Sequence, residues 1–322
     1  SVTLKRGRGS FLSNTELQIE CDDGSRETIE ADYFLIATGS TPRNFPNIDA
    51  DQSRILNSDG ILNLKEFPKR LIIIGAGIVG CEYATIFSNF NQTKVYLVDY
   101  QERIIPFEDE DVSSFISRNL IKNGVEIYHS ANLRAINKRP THLEAILDFD
   151  DGHSEVVEAD AALVSIGRAP NLGGLNLGRV DIQPNERGFL DCDDNCLIKG
   201  NIYAAGDVTQ HPALVNIAET EARYAVKAMF GANVWPLKYT NMSTVMFFKP
   251  AVAAVGLNEQ ICRKKKIAYR VATYSNALLS RAIAMRATDG FVKIIVSEDE
   301  QKRILGMRAA GPQASTTIMS IA

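Results

Sequence analysis

The chain has 322 residues, of which 45% are hydrophobic and 23% charged, and its formal net charge is -4 at pH 7. This is an ordinary globular balance for two or three domains, with no positive field to gather nucleic acid. The longest apolar run, Leu71 to Gly80, falls well short of the roughly 18 residues of a membrane span, so neither nucleic acid nor membrane is expected as a partner.

The opening, SVTLKRGRGS, has neither an initiator Met nor an apolar signal core. No secretion signal is expected, a cytoplasmic location is, and the natural protein is expected to begin upstream. The segment CDDGSRETIEADYFLIATGSTP (21 to 42) then recurs without a gap as FDDGHSEVVEADAALVSIGRAP (149 to 170), at a constant offset of 128. Gly24 matches Gly152, Gly39 matches Gly167 and Pro42 matches Pro170. Each copy reads as a hairpin around an Asp-Gly turn, followed by an apolar strand that ends in a small-residue turn.

Between the copies, KRLIII (69 to 74) is a buried parallel strand by composition, and Gly75, Gly77 and Gly80 follow as GxGxxG. Gly75 allows the tight turn, Gly77 clears the approach of a pyrophosphate, and Gly80 lets the helix pack on the strand. The helix start directs free N-H groups at the phosphates. Tyr83, Ile86, Phe87 and Phe90 predict the helical face that buries on the sheet. By the offset of the repeat, the matching glycine motif of the first copy lies before residue 1.

KVYLVD (94 to 99) supplies a second strand ending at Asp99, nineteen residues beyond Gly80. A carboxylate there accepts from a ribose 2'-OH and repels a 2'-phosphate, which favours NAD, while Arg103 keeps NADP possible. FEDEDVSSFISRNLIKNG (107 to 124) places carboxylates at a helix start, where the dipole favours them, and Gly124 at its end; no metal site is expected there. GNIYAAGDV (200 to 208) reads as a small-residue strand that ends at Gly206-Asp207, placing a carboxylate where open α/β sheets bind ligands. The five cysteines, 21, 81, 192, 196 and 262, suit reduced thiols better than disulfides, and CDDNC matches neither a CxxC redox pair nor a zinc site. RKKK (263 to 266) reads as a solvated helix end. Phe291 to Val296 and Ile304 to Arg308 alternate as an antiparallel hairpin.

Taken in order and spacing, ATGSTPR, GAGIVGCEYA, GRAPN and IYAAGDV resemble the two-dinucleotide flavoproteins of the pyridine nucleotide-disulfide oxidoreductase family. GCEYATIF and RIIPFEDED are most similar to its soluble pyridine nucleotide transhydrogenase branch, with dihydrolipoamide dehydrogenase and mercuric reductase close by. The resemblance implies an α/β chain with two Rossmann-like FAD/NAD(P)-binding domains, the first truncated at its N-terminus, plus part of an α+β interface or dimerisation domain. The corresponding segments are 1–43 (end of the first half of the FAD domain), 44–166 (NAD domain), 167–238 (remainder of the FAD domain) and 239–322 (truncated interface domain).

It further implies that Thr38, Gly39, Gly206 and Asp207 touch FAD, with Asp207 on the ribityl chain, and that Ala213, Leu214, Val215 and Asn216 line the flavin side. Gly75, Gly77, Ile78, Val79, Gly80, Glu82, Asp99 and Gly167 would follow the path of NAD, Glu82 near the nicotinamide and paired with an upstream lysine. Lys249-Pro250-Ala251 stands where the family usually has Thr-Pro-Glu. The family's CxxxxC pair and carboxyl-terminal His have no counterpart in these residues, so no catalytic residue is assigned. The implied protein is a homodimeric, FAD-dependent oxidoreductase that passes hydride between NAD(P)H and flavin. A transhydrogenase is the first expectation and a dihydrolipoamide dehydrogenase-type disulfide reductase the alternative; a nucleotide-binding fragment without catalysis is the reading from another class.

Overall fold

The structure, a computed structural model, describes residues 2–46, 48–231 and 236–321. The chain forms two units, Ser1–Thr41 with Arg168–Tyr239, and Pro42–Gly167 with Thr240–Ala322.

In the second unit a five-stranded parallel sheet runs in the order Ile55–Asn57, Ala161–Val164, Arg70–Ile74, Lys94–Val98, Glu126–Tyr128. Its central strand is apolar at consecutive positions because both faces are covered. Leu71 and Ile73 pack with Cys81, Ala84 and Phe115 on the helical side. Ile72 and Ile74 pack against Leu143, Ala145 and Val157 of a three-stranded antiparallel sheet on the other.

The helix Ile78–Asn89 buries only part of the face expected of it: Phe87 is buried and Tyr83 packs against the core, but Ile86 and Phe90 do not. Its buried residues are Gly80, Cys81, Ala84, Thr85, Phe87 and Ser88, whereas Ile86 and Phe90 are 45% and 57% exposed. The helix comes close to its strand at Gly80, and most of the residues it buries are small. Phe67 bridges the two aromatics, packing on the buried Phe87 and the exposed Phe90 at ring distances of 5.6 and 5.0 Å.

The repeat has a structural counterpart in each unit. Hairpins join Glu16–Glu20 to Arg26–Glu30 and Leu143–Phe149 to Ser154–Ala159. Their turn glycines, Gly24 and Gly152, have φ of +82° and +88°. Asn171 N-H donates to Gly39 O at 2.8 Å and Arg43 N-H donates to Gly167 O at 2.9 Å, residues again related by the offset of 128. After its hairpin, the strand Phe34–Ile36 pairs in parallel with Ile202–Ala204 in the first unit, over a core containing Phe11, Leu177 and Val208.

Residues from 240 onward add an antiparallel sheet in the order Thr244–Met246, Val252–Gly256, Ile304–Ala310, Phe291–Ser297, Tyr269–Ser275. The expected hairpin is its Phe291–Ser297 and Ile304–Ala310 pair. Arg263 to Lys266 are exposed at the end of the helix Glu259–Lys264.

The expected acidic helix start is present, with Glu110 and Asp111 in the first turn of the helix Glu110–Lys122, and its carboxylates have a second role. Asp109 occupies the N-cap position, yet its side chain makes no bond to its own helix and instead accepts the Glu259 and Gln260 N-H groups, each at 3.2 Å. Its Oδ2 lies 2.9 Å from the buried Lys293 ammonium, which also meets Asp111 at 2.9 Å and Glu259 at 2.5 Å. Glu108 pairs with the buried Arg308 at 2.8 Å. Burial opposes the charge on Lys293, but three carboxylates outweigh it and hold the ammonium above the usual lysine range; burial likewise opposes ionisation of Asp109, and Lys293 reverses the balance and lowers its pKa.

Removing one partner of such a pair strands a buried charge. Lys293→Met is expected to lower unfolding free energy by roughly 3–5 kcal/mol, read from the urea midpoint at pH 7. Because the folded-state pKa of Asp109 is depressed, its contribution is complete above the ordinary Asp value of about 3.9 and is lost as pH falls through the folded value. The defect should therefore shrink in acid; an unchanged midpoint at pH 7 contradicts the pairing.

Candidate functional site

Three glycines make the cradle, and they do different things. At Gly75, φ is +100° and an added Cβ would sit 2.7 Å from Ser165 O; at Gly80 it would sit 1.9 Å from Gly75 O. Both are required by protein contacts. Gly77 has φ -73° and ψ -172°, open to any residue, and an added Cβ there would meet no heavy atom within 4 Å. Its bare Cα faces a cavity of ≈ 470 Å³ at the start of the helix Ile78–Asn89, where the backbone N-H groups have no intrahelical acceptor.

Gly75, Ile78, Val79, Asp99 and Gly167 line the same cavity. Gly80 lies buried beneath the loop rather than in it, and Glu82 is not among the lining residues. Asp99 is almost fully buried, and its carboxylate braces the loop: Oδ2 accepts the Ala76 N-H at 2.6 Å and Oδ1 the Gln101 N-H at 2.9 Å. A carboxylate has about four acceptor sites, so these bonds leave capacity for a hydroxyl. Arg103 does not line the cavity; its Nη2 donates to Pro106 O and Glu108 O at 2.9 and 2.8 Å, and its Nη1 is buried without a hydrogen-bond partner. Glu82, expected beside an upstream lysine, accepts the Phe247 N-H at 2.9 Å. Burial pushes its carboxyl up, and this hydrogen bond opposes the rise.

In the first unit, Ser40 and Ala213 share a cavity of ≈ 240 Å³ with Asp207. Ser40 Oγ donates to Asp207 Oδ2 at 2.5 Å and receives Arg168 Nε at 2.7 Å. This leaves a half-buried carboxylate at a cavity rim, a suitable acceptor for polyol hydroxyls. Thr38 Oγ1 donates to Asn171 O at 2.7 Å, and Gly39 turns the chain with φ +69°. Leu214 precedes the helix Val215–Met229, on which Val215 and Asn216 are exposed; none of the three lines the cavity.

Behind Gly206 is a network that the sequence reading missed. Glu221 is 0% exposed. Its Oε2 accepts the Gly206 N-H at 2.6 Å, and its Oε1 meets His211 Nδ1 at 2.6 Å and the Tyr239 hydroxyl at 2.8 Å. A carboxylate only accepts, so His211 must carry its hydrogen on Nδ1 toward it. The His211 and Tyr239 rings stack at 4.0 Å. Burial would raise the Glu221 pKa; the His211, Gly206 and Tyr239 donors outweigh it and lower it. One signal was available. Glu221 shares the buried helical stripe of Ile217, Tyr224 and Ala225.

All five cysteines are free thiols. Burial raises Cys192 to about 11 and Cys196 to about 12, so both stay protonated and weakly nucleophilic at neutral pH. Among the described residues no cluster of three or more His, Cys, Asp or Glu is placed to hold a metal ion, and no helix is long and apolar enough to cross a membrane.

Comparison with known proteins matches residues 2–222 to the pyridine nucleotide-disulphide oxidoreductase family model and residues 242–322 to that family's dimerisation domain. The dihydrolipoyl dehydrogenase of Bacillus subtilis is 32% identical across 99% of this chain and 67% of its own length. That of Chlamydia trachomatis is 33% identical over the same shares. Among solved structures, LpdA from Mycobacterium tuberculosis superposes with a TM-score of 0.89 at 29% identity, covering 98% of this chain and 69% of its own. The HOCl-induced flavoprotein disulfide reductase RclA from Escherichia coli gives 0.85 at 28% identity, covering 98% and 71%. The chain belongs to the pyridine nucleotide-disulphide oxidoreductase family, whose members use FAD and NAD(P)H.

Glu221→Gln replaces an acceptor with an amide donor facing His211 and Tyr239. It should cost roughly 1–3 kcal/mol of stability at neutral pH, as an unsatisfied buried polar group does. The lowered pKa means that this contribution is present above the ordinary Glu value of about 4.3 and is lost as pH falls through the folded value. Thermal unfolding near pH 7 and in acid should show a large and then a diminished difference; equal stability at pH 7 would show that the network does not hold Gly206.

Proposed function

We propose that this member of the family binds NAD in the ≈ 470 Å³ cavity of its second unit and serves hydride transfer between that nucleotide and FAD. The observation that carries this is the contrast among the three glycines. Only Gly77 lacks a side chain for no reason internal to the protein, and it lacks one where a pyrophosphate would approach helix N-H groups.

The residues present fit such a ligand in order along the cavity. Backbone at Gly75 to Val79 would hold the pyrophosphate, and Asp99 would accept from a ribose hydroxyl while repelling a 2'-phosphate. Arg103, the cation nearest to Asp99 in sequence, does not line the cavity and its Nη2 is held by main-chain carbonyls, so the Asp99 carboxylate decides the preference, for NAD over NADP. In the first unit, the Asp207 carboxylate fits the ribityl hydroxyls of FAD, oriented by Ser40 and kept in place by the Glu221 network through Gly206. FAD, when bound, supplies the hydride acceptor. The chain's own part is to position both nucleotides.

The onward acceptor we infer is a disulfide of the dihydrolipoyl type. The names of the relatives support this branch over the transhydrogenase placed first on sequence, and the acidic Asp99 agrees, since a transhydrogenase must also accept NADP. We assign 44–166 to NAD binding, 1–43 with 167–238 to FAD binding, and 239–322 to a homodimer interface, in a protein that works in the cytoplasm.

Calorimetric titration of the chain should show NADH binding at least tenfold tighter than NADPH. Equal affinities would remove Asp99 as the discriminator, and no NADH binding would remove the nucleotide site. In the protein encoded by the whole gene, NADH-dependent reduction of lipoamide without reduction of NADP is expected; the reverse pattern favours the transhydrogenase.

A further inference from the structure

Two large aromatic rings stand exposed at the same cavity, and nothing said so far uses them. Tyr100 is 68% exposed and Phe107 51%, and both line the cavity that Gly77 faces. Exposed rings at the rim of a concave, largely apolar site are a usual mark of a ligand surface.

Phe107 is not on a loose loop. Ile105 N-H donates to Ala76 O at 2.9 Å, tying the segment to the glycine loop itself. Arg103 Nη2 bridges Pro106 O and Glu108 O, and Asn258 Nδ2 donates to Phe107 O at 2.7 Å. Gln260 Nε2 donates to Pro106 O at 3.2 Å and also reaches Glu108 O. The next two side chains, Glu108 and Asp109, are locked by Arg308 and Lys293. The backbone on either side of Phe107 is thus fixed while its ring is left in water, so the ring is presented rather than stranded.

Tyr100 is placed by sequence. It follows Asp99 directly, and the carboxylate is fixed by Ala76 and Gln101. If Asp99 holds the ribose of a dinucleotide, the base on that ribose enters the part of the cavity that Tyr100 lines beside Asp99. We infer that Tyr100 and Phe107 form an aromatic seat for the adenine, a specificity element of this chain that rests on the NAD reading above. A flat purine offers a π face to each ring, and stacking of a base on an aromatic side chain is sequence-tolerant and strong.

The test is calorimetric titration of the chain with NADH and, separately, with ADP-ribose, which keeps the adenine half and lacks nicotinamide. Tyr100→Ala and Phe107→Leu should each weaken both ligands by the same factor, roughly tenfold for the tyrosine and less for the leucine, which keeps apolar area. Tyr100→Phe should bind as the unaltered chain does, because the ring and not the hydroxyl makes the contact. Unfolding midpoints of all three should not move, since both rings are exposed. Unchanged affinity in Tyr100→Ala and Phe107→Leu, a loss confined to NADH, or a Tyr100→Phe loss as large as that of alanine would each overturn the seat while leaving the nucleotide site standing. An unaltered chain that binds neither ligand would overturn the NAD reading and the seat together.

Discussion

A methyl group on Gly80 would lie 1.9 Å from the carbonyl oxygen of Gly75, and much of the second unit follows from that distance. The helix can come this close to its strand only without a side chain at Gly80. Close approach then sorts the rest of the helix: Cys81, Ala84, Thr85 and Ser88 are small enough to face the sheet, while Ile86 and Phe90 are pushed outward. It also sets where the helix begins, so that the unpaired N-H groups of its first turn open on the cavity beside Gly77. Packing and binding geometry have one cause here.

The second organising feature is charge buried in pairs. Lys293 and Arg308 enter from adjacent strands of the antiparallel sheet and meet Asp109 and Glu108 just before the helix Glu110–Lys122. Such pairs add less net stability than their Coulomb attraction suggests, because both partners are desolvated, but they are intolerant of losing one member. They specify register, holding the segment that carries Phe107 in one place. The Glu221 network does the same for Gly206 with three donors around a single carboxylate.

Much of this was readable from residue order, and the failures share a reason. The parallel strands, the repeated hairpins and the glycine cradle are local patterns, set by period, turn chemistry and spacing. The helix face was legible at Tyr83 and Phe87 but not at Ile86 and Phe90, because periodicity identifies apolar residues without saying how near the neighbouring layer comes. The acidic helix start was legible, but its buried cationic partners were not, because they are some 180 to 200 positions away, as with Lys293 and Arg308. One cation does leave a trace: Lys293 is in phase with the inward-facing Ile295 and Ser297, and a charge on an inward position implies a buried partner. Glu221, on an apolar helical stripe, leaves the same trace.

The central claim is that Gly77 is bare for a ligand and not for the fold. Gly77→Ala separates the two directly, because its backbone angles suit alanine and the added methyl meets no protein atom. The melting temperature should be unchanged or slightly raised, while NADH affinity measured by calorimetry should fall by at least tenfold. Full NADH binding in Gly77→Ala would mean that no pyrophosphate approaches this backbone, and the assignment of the cavity would fail.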